Sequence, residues 1–233
     1  MTAQSMKKII YIADPEILAI PVIECNEPLI DVKIRTELSY GPPPECEETA
    51  NCYTKIRETV FAKLCQAQKD LPKGWRFRLY EGFRSLAVQK MLFENEYQRV
   101  TTRCPNASPI EIFHETTRLV SPIVNLDGSY NIPPHNTGAA VDIEILTEHN
   151  ELLDMGMTAK DWCRVDPDLC ITDSPLIKGA AKQNRKFSLD LMQAHGFINY
   201  PTEWWHFSYG DRYWAYHRGM DHAIYGSLEI GVA

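Results

Sequence analysis

Two stretches of this chain alternate hydrophobic and polar positions, and three others repeat them with helical spacing. In WRFRLYEGF, Trp75, Phe77 and Leu79 fall on one face and Arg76, Arg78 and Tyr80 on the other, the period of a half-buried strand. In AVDIEIL, residues 140–146, Val141, Ile143 and Ile145 point into a core, while Asp142 and Glu144 point the other way. Residues 52–69 predict a helix, with Tyr53, Ile56, Val60, Phe61 and Leu64 at three- and four-residue spacing, broken by Pro72 and Gly74. Ser85 is an N-cap candidate for a second helix over about 86–98. A third covers 180–195, with Ala181, Asn184, Phe187, Leu191 and Ala194 near one face and Gly196 as its stop. Short β-type runs, Ile17 to Ile23 and Leu29 to Ile34, are broken by Pro21 and Pro28, and EWWHFSYGDRYWAY reads as aromatic and strand-like.

Irregular stretches separate these elements. One is the Pro-rich SYGPPPECEE. A second, 101–135, holds Pro105, Pro109, Pro122, Asp127-Gly128 and Pro133-Pro134, and a third runs from 147 to about 178. Long loops in a compact domain tend to carry function. Strands and helices do not alternate strictly, which predicts an α+β fold with a largely antiparallel central sheet flanked by helices. No repeat or long linker divides the chain, so residues 1–233 read as a single domain.

Composition narrows the function classes. Hydrophobic residues at 44% and charged residues at 24% are those of a globular chain. A net charge of −7 argues against a nucleic-acid partner, which needs a basic face. No run approaches the roughly 20 apolar residues of a membrane span. The apolar run after Lys7 and Lys8 is interrupted by Asp14, Pro15 and Glu16, too early for a signal peptide. The expectation is a cytoplasmic protein, or a periplasmic one if a leader was removed. Cysteines 25, 46, 52, 65, 104, 163 and 170 form no C-x2-C pair, so no thiolate zinc site is signalled. They read as scattered reduced thiols, with Cys65 in the core.

Three short segments carry candidate chemistry. His135 lies in a Pro- and Gly-bounded loop seven residues before Asp142, and a turn over Asn136–Gly138 would bring its imidazole back over the strand. Imidazole nitrogen and carboxylate oxygen both suit zinc, although a His and an Asp at this spacing recur by chance in many chains. In EWWH, Glu203 stands three residues before His206, and a Glu can act as general base beside a metal ligand. Residues three apart on a regular strand face opposite sides. Both therefore serve one site only if the chain turns between them or Glu203 sits at the strand entrance, for which Pro201-Thr202 provides; otherwise Trp204 and Trp205 are core packing and Glu203 and His206 incidental. Arg84 ends YEGFR, between a strand and a helix start, where a guanidinium could steady an oxyanion or grip a carboxylate. A lone Arg is more often a surface residue. His114, His149, His195, His217 and His222 match no motif.

Together, EGFR (81–84), PPHNTGAAVD (133–142) and EWWH (203–206) resemble the zinc D-alanyl-D-alanine dipeptidases, which include the vancomycin-resistance enzymes. That family carries D-G-Y-R, S-x-H-x-x-G-x-A-x-D and E-W-W-H in this order. The likeness spans roughly 27–215, with a helix, L-P-x-G and strand before the Arg and NRKFSLDLMQAHGF before EWWH. It implies one zinc ion per chain held by His135, Asp142 and His206, with Glu203 as base and Arg84 as transition-state stabiliser in a cleft walled by long loops. It further implies a small dipeptide substrate, D-alanyl-D-alanine, split into two D-alanines. Pro133 stands where the family has Ser, Glu81 where it has Asp and Phe83 where it has Tyr. The carboxylate for the substrate amine should follow DMG (154–156), with Asp161 the nearest candidate.

Such a site would also serve a D-Ala-D-Ala carboxypeptidase or a peptidase for another peptidoglycan peptide. Segments 101–134 and 147–178 could wall off a small cavity, which favours a dipeptide. A zinc-binding module without turnover is a further alternative, but it needs neither the base nor the Arg. Neither oligomeric state nor biological role leaves a readable pattern.

Overall fold

The strand AVDIEIL is the middle strand of the main sheet, and its two neighbours decide where the polar side chains go. The computed structural model describes residues 9–44 and 47–229; Lys7, Lys8 and Cys46 lie outside them. In chain order the elements are α1 (Pro15–Leu18), β1 (Leu29–Asp31), β2 (Ser39–Tyr40), β3 (Lys55–Arg57), α2 (Glu58–Gln68), β4 (Arg76–Glu81), α3 (Leu86–Arg103), α4 (Pro109–Thr116), β5 (Ala140–Leu146), α5 (Gly179–Ala194), β6 (Ile198–Asn199), β7 (His206–Ser208) and α6 (Arg212–Arg218). The main sheet runs β2-β4-β5-β7-β6. Only β2–β4 is parallel; the other three pairings are antiparallel. This is the expected α+β class with a mostly antiparallel sheet.

Period-two patterning works on one face as read. Phe77, Leu79, Val141, Ile143, Ile145 and Phe207 are buried in one core cluster with Val60 and Leu64 of α2 and Met192 of α5. The opposite face of β5 is not solvated either. Glu144 is buried with an ion pair to Arg78, and Asp142 is buried beside two histidines. A bulge in β4 between Leu79 and Glu81 lets Glu81 pair with Asp142, and Asp142 pairs in turn with His206. Register alone thus lines Glu81, Asp142 and His206 across three strands.

Several expectations are corrected. Ile17–Ile23 is not a strand: Pro15 opens the short helix α1 after Asp14, and only Val22 bridges, to Ala223. Leu29 to Ile34 is a strand only as far as Asp31, whose side chain caps a 3-10 turn over Val32–Ile34. The helix of 52–69 begins at Glu58, because Lys55–Arg57 pairs with Leu29–Asp31 as a two-stranded ribbon. Helix α3 starts at the Ser85 cap but continues to Arg103. The irregular stretch 101–135 contains α4, closed by a capping box between Ser108 and Glu111 with Pro109 in its first turn. The C-terminal aromatic run is strand only over His206–Ser208; Asp211 then caps α6.

A buried clamp centres on Arg57, the last residue of β3 in the two-stranded ribbon. The Arg57 guanidinium donates to Glu24 Oε1 and Oε2 (3.1 and 3.0 Å), to the Glu27 carbonyl and to the Thr137 carbonyl (2.7 Å). The Tyr225 ring covers it at 4.8 Å, and the Tyr225 hydroxyl donates to Glu27 Oε2 at 3.0 Å. Segments near 24–27 and 225 are thereby fastened to the loop that carries His135.

Candidate active site

His135 is placed by its flanking prolines and glycine. Pro134–Thr137 forms a 3-10 turn, and Gly138 ends it in the left-handed conformation at φ +69°. The ring Nδ1 donates to the Gly82 carbonyl at 2.7 Å, which leaves the Nε2 lone pair facing inward. Gly82 itself has no room for a side chain: a Cβ there would stand 2.6 Å from the Lys55 carbonyl oxygen and 2.5 Å from Ile56. Gly82→Ala is expected to cost about 1–3 kcal/mol through overpacking, measured by urea unfolding, because backbone must move to admit the methyl.

Glu203 and His206 share a site because the chain turns between them. Glu203 N–H donates to the Tyr200 carbonyl at 2.9 Å and His206 N–H to the Glu203 carbonyl at 3.2 Å. Asn199 donates to the carbonyls of both Glu203 and His206, at 3.0 and 2.9 Å, fixing the turn. Glu203 Oε2 lies 3.6 Å from His206 Nδ1.

Three atoms converge. His135 Nε2 is 3.1 Å from His206 Nδ1 and 3.3 Å from Asp142 Oδ1, and Asp142 Oδ1 is 3.1 Å from His206 Nδ1. All three residues are buried, yet Asp142 Oδ1 accepts no hydrogen bond of satisfactory geometry. Ligand atoms about 2.0–2.1 Å from a tetrahedral zinc stand about 3.3 Å apart, so these separations fit such an ion, as do two imidazole nitrogens and a carboxylate oxygen. Among the described residues this is the group able to hold a metal.

Charge is divided unevenly between the carboxyls. Burial pushes the Glu203 carboxyl well above its usual range, and the Asp142 charge adds to that. Burial also opposes ionisation of Asp142, but His135 and His206 outweigh it and hold Asp142 below the usual carboxylate range. His206 is pushed down by burial despite Asp142.

Arg84 reaches the same cleft. Its Nε donates to Glu81 Oε1 (3.0 Å), its Nη2 to Glu81 Oε2 and its Nη1 to Gln89 Oε1 (3.0 Å). Gln89 passes the link on through Nε2 to the Ser121 carbonyl at 2.6 Å. The cleft is lined by His135, Asp142, Glu203, His206, Arg84 and Glu81, with Leu92, Leu119, Trp162 and Tyr200 as apolar wall.

Asp161 does not join this group. It ends the 3-10 turn Ala159–Asp161, takes a hydrogen bond from Thr158 and lines a separate depression with Glu144 and Trp204. Its neighbour Trp162 reaches the cleft instead. Sequence reasoning missed Glu81 and Gln89 as partners of Arg84; the three- and five-residue spacing across a strand end and helix start was the available signal. Of the unmatched histidines, His195 meets Asp70 at 2.8 Å on the surface. Among the described residues no helix is long and apolar enough to cross a membrane.

Residues 48–224 match the family described as D-ala-D-ala dipeptidase. A D-alanyl-D-alanine dipeptidase of Synechocystis is 28% identical over 91% of this chain and 96% of its own length. One from Escherichia coli is 32% identical over 31% of this chain and 36% of its own. A solved LD-carboxypeptidase, LdcB, aligns over 94% of this chain and 90% of its own at 17% identity, with a TM-score of 0.43.

Proposed function

Because the chain belongs to the D-Ala-D-Ala dipeptidase family of metallopeptidases, we propose that it is a zinc hydrolase that splits D-alanyl-D-alanine into two D-alanines. The observation that carries this reading is the convergence of His135 Nε2, Asp142 Oδ1 and His206 Nδ1, with a carboxyl at 3.6 Å that is not part of the convergence. The reading treats residues 1–233 as one catalytic domain.

A zinc ion on those three atoms would supply a Lewis acid and bring the pKa of water to about 7. The chain's own groups do the rest. Glu203, once ionised, takes the proton of the attacking water and returns it to the leaving amine. Arg84 spends three of its five N–H groups on Glu81 and Gln89, leaving two for the carbonyl oxygen as negative charge builds there. Glu81 and Gln89 fix the guanidinium before substrate arrives, so its donors need no reorganisation during the reaction. Trp162, Tyr200, Leu92 and Leu119 narrow the cleft and limit water.

Substrate length follows from the family rather than from a free charge on the wall. Glu81, Asp142 and Glu203 face the cleft with Arg84 as the one arginine or lysine. Membership of a dipeptidase family favours a substrate whose amine is free, and an acylated nitrogen departs from it. N-acetyl-D-Ala-D-Ala is therefore expected to react at least about a hundredfold more slowly than D-Ala-D-Ala in kcat/KM, about two tenfold steps of ~1.4 kcal/mol each. The measurement is D-alanine release by zinc-loaded protein from both compounds. Equal rates would favour a carboxypeptidase, and no release from either would sink the hydrolase reading.

A further inference from the structure

Trp162 is carried to the cleft wall by a segment with little regular structure. Between β5 and α5 the chain is built mainly of turns, and the 3-10 turn Ala159–Asp161 ends at Trp162. The Trp162 N–H donates to the Ala159 carbonyl at 3.2 Å, which fixes the backbone and leaves the indole to be placed by its surroundings. The side chain is buried and borders the cleft with Leu92 and Leu119.

Helix α3 supplies that placement. Gln89, Leu92, Glu96 and Arg99 recur at three- and four-residue spacing and so share one face of it. Gln89 holds Arg84, and Leu92 lines the cleft. Further along the same stripe, Arg99 lays its guanidinium over the Trp162 ring, with Cζ 4.7 Å from the ring centroid. Glu96 fixes that guanidinium: its carboxylate is buried, and Arg99 Nε donates to its Oε2 at 2.7 Å. Arg103 stands further off, 3.8 Å from Glu96 Oε1. A buried carboxylate on a core-facing stripe is destabilising unless it is paired. The close pair lies within one helix, so by itself it does not join α3 to another element. What crosses to the segment carrying Trp162 is the stacked guanidinium. Arg99 Nη2 agrees with this, being buried without a hydrogen bond. Of the aromatic faces, that of Trp attracts a cation most strongly.

We propose that Arg99 is a positioning residue for substrate binding: pinned by Glu96, its guanidinium holds the Trp162 indole as a wall of the cleft. The inference rests on the hydrolase reading above. Arg99 touches none of the reacting atoms and acts through the ring alone. A loosened wall weakens the hold on substrate and transition state alike, which raises KM and spares kcat.

Arg99→Gln is the informative variant, because it keeps a donor for Glu96 and removes the cation from the ring. With zinc-loaded protein, the expected result is a KM for D-Ala-D-Ala raised about threefold to thirtyfold, with kcat within about twofold of the parent. Trp162→Leu should raise KM as well. Adding Arg99→Gln to it should then change KM by less than about twofold, because residues acting through one contact are not additive. Iodide quenching follows the ring apart from turnover: the emission that Trp162→Phe removes should become more accessible in Arg99→Gln. A parental KM in Arg99→Gln overturns the proposal, as do fully additive effects in the double variant or unchanged quenching. If Arg99→Gln does not fold, Arg99→Met, which keeps the stem against the ring, decides by the same thresholds. Parent protein that releases no D-alanine removes the hydrolase reading and the inference with it, whereas an active parent with additive effects removes the inference alone.

Discussion

Glu203→Ala is expected to lower kcat by about a hundredfold to ten-thousandfold while each chain still binds one zinc ion. The carboxyl stands beside the converging atoms and is not one of them. Its removal takes away a proton acceptor and leaves His135, Asp142 and His206 in place. Metal-free stability should hold or rise slightly, because burial and Asp142 make an ionised Glu203 unfavourable in the folded protein. Initial rates of D-alanine release and metal analysis of the same preparation check both halves. A near-normal kcat would strip Glu203 of its role, and loss of zinc along with activity would make it a ligand rather than a base.

Arg84→Ala is expected to fail in two separable ways. Loss of a donor to the developing oxyanion costs about a hundredfold to a thousandfold in kcat. The same change strands Glu81, 1% exposed at its side chain, with no cation beside it. Breaking a buried pair from one side costs about 3–5 kcal/mol, whereas replacing both partners by apolar groups is close to neutral. The double variant Arg84→Met with Glu81→Met should therefore recover stability in urea unfolding without recovering turnover. Recovery of kcat in the double variant would reduce Arg84 to a structural residue.

The convergence of His135, Asp142 and His206 was more legible in the sequence than the fold around it. His135, Asp142, Glu203 and His206 sit in segments where prolines, glycines and strand alternation leave few choices: AVDIEIL is β5 to the residue, and the turn required between Glu203 and His206 is present. Asp161 lies outside the cleft because adjacent residues of a 3-10 turn point in different directions, and the turn gives Trp162 to the cleft. Lys55–Arg57 read as helix because its spacing continues that of α2; pairing with Leu29–Asp31, remote in sequence, overrides the local pattern. Helices α4 and α6 are short and flanked by turn formers, so their signal lay in the caps Ser108 and Asp211 rather than in any apolar period.

The Arg57 clamp separates the boundary of the family from the boundary of the folding unit. A recombinant fragment trimmed to residues 48–224 would retain every proposed site residue. It would also retain the buried Arg57 guanidinium while discarding Glu24, Glu27 and Tyr225, the groups that neutralise and cover it. That guanidinium also grips the carbonyl of Thr137, two residues past His135. Expression design for this protein therefore follows the clamp: both outer segments belong in the insert, and fusion tags are best joined beyond them through a spacer.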